Sequence, residues 1–175
     1  PVFIGVAVTQ INVIVDRSIS STLVEGSISA LNTANRLNEF VMGLFIATLA
    51  SVIYPNLSKL SNEKKNDEFL KCIRESVNSV ILLVMPISIG AIVLANPIIK
   101  LLFERGAFDE SSTKMTSIAL VFYSIGMVSF GIREILSKVF YSIQDTKTPM
   151  INGAIAVSIN IVLNIILSKY MGYAG

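Results

Sequence analysis

Asn32-Thr33-Ala34-Asn35-Arg36-Leu37-Asn38-Glu39-Phe40 runs without a break into a stretch, Phe40 to Ser58, that holds no charged residue. A permanent cation therefore stands about one helical turn from a run apolar enough for a membrane. At helical spacing Asn32, Arg36, Glu39 and Gly43 share one face. An ionisable face on an apolar helix needs a wet cavity, a partner or an anionic ligand.

Composition agrees with a bilayer environment. Of 175 residues, 53% are hydrophobic and only 15% are charged, against about 25% charged in ordinary soluble domains. The net charge of +2 is too small to suggest nucleic acid. There is no histidine, which removes the commonest general base and metal ligand. Cys72 stands alone, so neither a disulfide nor a cysteine zinc site can form within the chain. Glycine-rich phosphate loops are missing as well. No catalytic constellation remains, and the expectation is a protein that is not an enzyme.

Outward from the opening stretch, the pattern predicts an all-α, polytopic transmembrane bundle with five spans, about 1–23, 27–57, 76–99, 111–141 and 149–170. The first carries a polar stripe of Thr9, Asn12, Asp16 and Ser20. Gly26 breaks the chain, and Ser27 is placed to cap the second span. The second exceeds the ~20 residues needed to cross, so part of it should project from the hydrocarbon or line a wet opening. The charged segment 58–76 reads as an extramembrane connection with an amphipathic end. Pro86 should kink the third span, and Gly106 should stop the helix before it. Asp109-Glu110-Ser111-Ser112 suits the start of the fourth. Gln144 to Pro149 reads as a turn, and the fifth places Asn160, Asn164 and Ser168 on one face. Lys59, Lys64, Lys65, Lys71, Arg74, Lys138 and Lys147 fall on one side and outnumber Lys100, Arg105, Lys114 and Lys169 on the other. The positive-inside rule then puts the second-to-third and fourth-to-fifth connections in the cytoplasm. Both chain ends lie in membrane-like sequence, which reads as part of a longer protein.

Arg36 is the sharpest candidate. Its planar fork of donors suits phosphate oxygens; the alternative is an arginine that snorkels or pairs with Glu39 or Glu25. Asp16 comes second. It can pair with an arginine, carry a proton or help to bind a cation, with Asn12 one turn before it. Asn160 and Asn164 could add oxygens if the first and last spans pack together; otherwise they make interhelical hydrogen bonds.

Asp16-Arg17, Glu25-Gly26-Ser27-Ile28-Ser29-Ala30-Leu31-Asn32 and Ala34-Asn35-Arg36-Leu37 resemble the MurJ (MviN-type) lipid II flippases. Ile53-Tyr54-Pro55, Leu102-Phe103-Glu104-Arg105-Gly106-Ala107-Phe108-Asp109, Phe140-Tyr141-Ser142 and Asp145-Thr146-Lys147-Thr148-Pro149 follow in the family's order, so the resemblance covers essentially the whole chain. It implies the seventh to eleventh helices of an inner-membrane transporter of about fourteen, within the two-lobe multidrug/oligosaccharidyl-lipid/polysaccharide (MOP) exporters. Such proteins move the undecaprenyl-pyrophosphate-linked peptidoglycan precursor outward by alternating access. The partners implied are that lipid, the surrounding membrane lipids and the remaining helices of the transporter. Arg36 matches the family's cavity arginine on the eighth helix, with Asn32 and Glu39 beside it. A sodium ion at Asp16, Asn160 and Asn164 is implied for some members, and no other cofactor. The chain departs from the family at Val41, where a proline is common, and at Thr33, where an aromatic is common. The rival readings are a polysaccharide-lipid flippase, a drug or cation antiporter, and a structural membrane protein that transports nothing.

Overall fold

The computed structural model describes residues 26–106 and 108–171, and the side chains among them except at 165 and 167–171. Everything regular in these residues is helical. The expected first span, with Asn12 and Asp16, lies outside the described residues.

Helix α1 covers Ser27–Val41, a π-helical segment follows at Met42–Ala47, and α2 covers Thr48–Asn62. Together they form one rod of 36 residues, about 50 Å long at the α-helical rise. That exceeds the ~30 Å hydrocarbon core. The expected end near Leu57 is therefore too early: Leu57 and Leu60 are both buried, and their packing carries the helix on to Asn62.

The π segment has a geometric cause. The buried residues of α1 are Ser27, Ala30, Ala34 and Asn38; farther along the rod they are Ile46, Ala50, Leu57 and Leu60. At about 100° per residue these two sets would face directions roughly 100° apart on an unbroken α-helix. One residue absorbed as a π-bulge brings them onto a single face. The bulge begins next to Val41.

At the start of the rod Gly26 has φ +91°, a conformation that glycine adopts without strain. Gly26 is the N-cap, and no side chain caps the helix. The capping role expected of Ser27 is thus corrected: it is the first helical residue, and it is buried.

The charged connection is also far shorter than expected. Only Glu63, Lys64 and Lys65 separate α2 from α3, which spans Asn66–Val93. Lys64 takes a positive φ of 54°, and Lys65 pairs with Glu63 at 3.0 Å across the turn. The charged residues on either side lie on helix ends; Lys71, for example, reaches Glu75 one turn on at 3.9 Å.

Helix α3 runs through Pro86 as one element and stops at Leu94. The break belongs to Pro97. It has no N–H to give the Val93 carbonyl, and its ring crowds that carbonyl. Helix α4, Ala95–Phe103, follows directly, so the expected third span is two helices. Beyond it the chain turns at Gly106, φ +63°, as expected.

Helix α5, Glu110–Ser142, starts on Asp109, whose carboxylate accepts the Ser112 N–H at 2.9 Å. Helix α6, Lys147–Met171, starts on Asp145. That carboxylate accepts both the Lys147 and Thr148 N–H groups at 3.0 Å and the Thr148 hydroxyl at 2.6 Å. Pro149 accordingly sits within the first turn rather than opening it.

Helix α5 is the hub, packing against α1, α2, α3 and α4. One core cluster joins Ile46, Ala50, Val80, Val84, Met127 and Ile135; a second joins Ala34, Ala95, Ile99, Ala119 and Leu120. Close approach depends on small residues. A Cβ at Gly131 would lie 2.8 Å from Val80 Cγ1 and 3.1 Å from Ile46 Cδ1. The buried Ser88 hydroxyl donates to the Ser124 carbonyl at 2.5 Å and ties α3 to α5. Large apolar side chains face outward on every long helix, among them Phe40, Val52, Leu82, Val93, Phe122 and Ile159. Three helices among the described residues are long and apolar enough to cross a membrane: Ser27–Asn62, Asn66–Val93 and Glu110–Ser142.

Candidate substrate-binding face

Arg36 lies on the side of α1 turned away from the packed stripe. Ala34 and Asn38 flank it in sequence and are buried, while Asn32, Arg36 and Glu39 are all exposed. The structure therefore brings the three sequence-predicted residues to one face. It also bears on the pairing expected between Arg36 and Glu39. Glu39 accepts a hydrogen bond from Asn35 Nδ2 at 2.9 Å. No ion pair or hydrogen bond joins Arg36 to another described residue. The pairing with Glu39 that the sequence allowed is not made; Glu25, the other expected partner, lies outside the described residues.

Lower on the rod, a cavity of about 400 Å³ opens between the π-bulge region and the last third of α5. Ala47 and Ala50 leave the space, and Ser51, Tyr54, Glu134, Lys138 and Tyr141 line it. Lys138 pairs with Glu134 at 3.3 Å, and its ammonium stands 6.0 Å from the centre of the Tyr141 ring. Sequence reasoning did not single out this cluster. The available signal was an ionisable pair four residues apart inside the apolar fourth span, and such residues generally face a cavity. Arg133, next in sequence, instead lies over the Phe130 ring at 5.3 Å.

Asn160 and Asn164 are one turn apart on α6, and Asn164 Nδ2 donates to Asn160 Oδ1 at 3.0 Å. Among the described residues, helix α6 packs chiefly, and sparingly, against α5. Among the described residues there is no cluster of three or more histidine, cysteine, aspartate or glutamate side chains that could hold a metal. Hard cations take about six oxygens, so two carboxamides on α6 do not make a sodium site by themselves. Asp16 and Asn12, expected to contribute, lie outside the described residues.

The charges outside the spans are ordinary helix-end chemistry. The Thr148 hydroxyl, followed by the Thr148 backbone N–H, holds the Asp145 carboxyl below the usual range. The Ser112 N–H does the same for Asp109.

Among the described residues, an all-helical bundle with apolar exteriors and three helices able to cross a membrane defines the class, a multi-pass membrane protein, and the solved structure it matches below places it among the MOP-type exporters. A family model described as "Lipid II flippase MurJ" matches residues 1–175. The chain is 41% identical over 175 residues to a Vibrio cholerae serotype O1 protein named "Probable lipid II flippase MurJ", covering 100% of this chain and 33% of that protein. A Haemophilus influenzae protein of the same name is 36% identical over 182 residues, covering 99% and 36%. Among solved structures, "Lipid II flippase MurJ, inward closed conformation" superposes with a TM-score of 0.88 at 35% identity, over 99% of this chain and 37% of that one. The chain belongs to the lipid II flippase MurJ family, and with it to the bacterial inner membrane. It spans about a third of the length of the curated relatives it matches.

Proposed function

We propose that this chain is part of a transporter that carries the lipid-linked peptidoglycan precursor outward by alternating access, as its seventh to eleventh helices, and that Arg36 grips the pyrophosphate. The observation that carries this reading is the exposed Arg36 guanidinium, held opposite the packed stripe with its neighbour Glu39 engaged by Asn35. An arginine in an apolar helix is costly unless an anion or water receives it. A pyrophosphate meets that need with bidentate, charge-assisted hydrogen bonds. Asn32 and Glu39 border the same surface and would contact the polar groups next to the phosphates.

Resetting an alternating-access cycle needs a coupled ion or proton. Asp16, with Asn12 one turn earlier, is the residue assigned that role, and sodium at Asp16, Asn160 and Asn164 is one form of it. The Asn164–Asn160 hydrogen bond already holds two amides together on one side of α6. The remaining oxygens would have to come from beyond α6.

The test is rescue. Cells depleted of their own lipid II flippase receive the full-length gene as wild type, Arg36→Ala or Asp16→Ala, at matched membrane levels. Wild type should restore growth and Arg36→Ala should not. Failure of the wild type would point to a different lipid cargo. Equal rescue by all three would reduce Arg36 to a packing residue.

A further inference from the structure

The cavity between the π-bulge and α5 is not explained by the pyrophosphate site, and its chemistry differs. At Arg36 a lone cation is exposed. In the cavity, Lys138 is cancelled by Glu134 at 3.3 Å, so the lining offers no net charge to select an anion. What it offers instead is a mixture of donors and acceptors beside aromatic surface. Tyr54 and Tyr141 are both part-exposed, and neither hydroxyl bonds to another described residue. The Ser51 hydroxyl donates to the Thr48 carbonyl at 2.7 Å, which leaves its oxygen as an acceptor toward the cavity. A volume of about 400 Å³ is at the small end of ligand pockets.

We infer that this cavity is a sugar-binding subsite, taking one neutral ring of the glycan on the lipid-linked cargo. Tyrosine rings present flat apolar surface with a polar tip, which matches a sugar's C–H face and its hydroxyl rim. Glu134 accepts from ring hydroxyls, and Lys138 and the tyrosine hydroxyls donate to them. The inference rests on the reading that the intact protein carries such a cargo. It adds a division of labour along one helix. With the π residue accounted for, Ser51 stands about 40° from Arg36 around the rod and about 20 Å farther along it. That separation is too long for a phosphate and the sugar bonded to it to occupy both places at once. The ring in the subsite is therefore one set farther along the glycan than the sugar bonded to the phosphates.

The experiment uses purified full-length protein and two probes, undecaprenyl pyrophosphate, which has no sugar, and the complete sugar-bearing precursor, with binding read by native mass spectrometry. Tyr54→Ala and Ala47→Leu should each weaken precursor binding by about fivefold to tenfold and leave undecaprenyl pyrophosphate binding unchanged. Arg36→Ala should weaken both. Ala47→Leu fills the cavity without removing a polar group, so it carries the test if Tyr54→Ala does not fold. Unchanged precursor binding in either folded cavity variant would overturn the assignment, as would an equal loss for the two probes. If wild type binds neither probe, the cargo reading fails first and the subsite falls with it. If the precursor binds normally to Ala47→Leu, only the subsite is refuted.

Discussion

Among the described residues, Arg36 has no hydrogen-bond or ion-pair partner. The preceding turn supplies Asn35 to occupy Glu39 at 2.9 Å, so the nearest carboxylate is engaged while the guanidinium is exposed. In binding measurements with a pyrophosphate lipid, Arg36→Ala should lose about tenfold to a hundredfold, the range for hydrogen bonds to a charged group. Arg36→Lys should fall between, because it keeps the charge and loses the fork. Equal affinity for lysine and arginine would argue for a simple charge contact. Asp145 governs stability rather than binding. Its folded carboxyl lies below the ordinary value because the Thr148 hydroxyl and N–H favour the anion. A depressed carboxylate stabilises the fold above its unfolded pKa of about 3.9, and that contribution is lost as pH falls through the lower folded value. Asp145→Asn should therefore lower the thermal midpoint at pH 7, and the gap to wild type should close below about pH 4. A gap that persisted in acid would assign the effect to something other than the carboxylate.

Among the elements, the rod Ser27–Asn62 shows what a sequence can and cannot disclose. Its existence was legible from the uncharged run after Glu39, and the face of Asn32, Arg36 and Glu39 was legible from spacing within α1. The π-bulge was not, because a uniform 3.6-residue period hides one extra residue. The two buried sets record it only once Ile46, Ala50, Leu57 and Leu60 are known to be inside. Deleting Gly43 from the bulge should restore plain α-helix with both stripes aligned. Deleting Leu49 from α2 should rotate the remainder by about 100° and expose the packed stripe. Expression and unfolding of the two deletions should differ sharply; equal tolerance would contradict the register argument. The helix break at Leu94 was readable from Pro97, but Pro86 drew the attention because it sits inside the apolar run. The cavity on α5 went unseen because Glu134, Lys138 and Tyr141 look like ordinary interfacial residues until Ala47 and Ala50 leave space opposite them. Gly131 sits where the rod, α3 and α5 meet, against Ile46 and Val80. With a Cβ set at 2.8 Å from Val80 Cγ1, Gly131→Ala should destabilise by about 1–3 kcal/mol as an overpacked site, read as a lower unfolding temperature in detergent.

At the level of the whole molecule, α5 holds the other helices while outward-facing Leu, Ile, Val and Phe side chains meet lipid or further helices. Under the proposed function, the exposed face of Asn32, Arg36 and Glu39 would be half of a binding surface, the other half belonging to the remainder of the transporter. The charge balance predicts that the turn Glu63–Lys65 lies in the cytoplasm. A single cysteine at Lys64, in a full-length protein with Cys72 replaced by serine, should react with a membrane-impermeant thiol reagent only after the inner face is exposed; labelling in intact cells would invert the topology. The most direct test of the central claim is transport itself. Full-length protein in sealed vesicles, with the lipid-linked precursor loaded on the cytoplasmic-side leaflet, is assayed for precursor appearing on the opposite leaflet. Wild type should move it, and Arg36→Ala, inserted at equal abundance and with an unchanged unfolding temperature, should not. Movement at the wild-type rate by Arg36→Ala would contradict the assignment of Arg36 to the pyrophosphate.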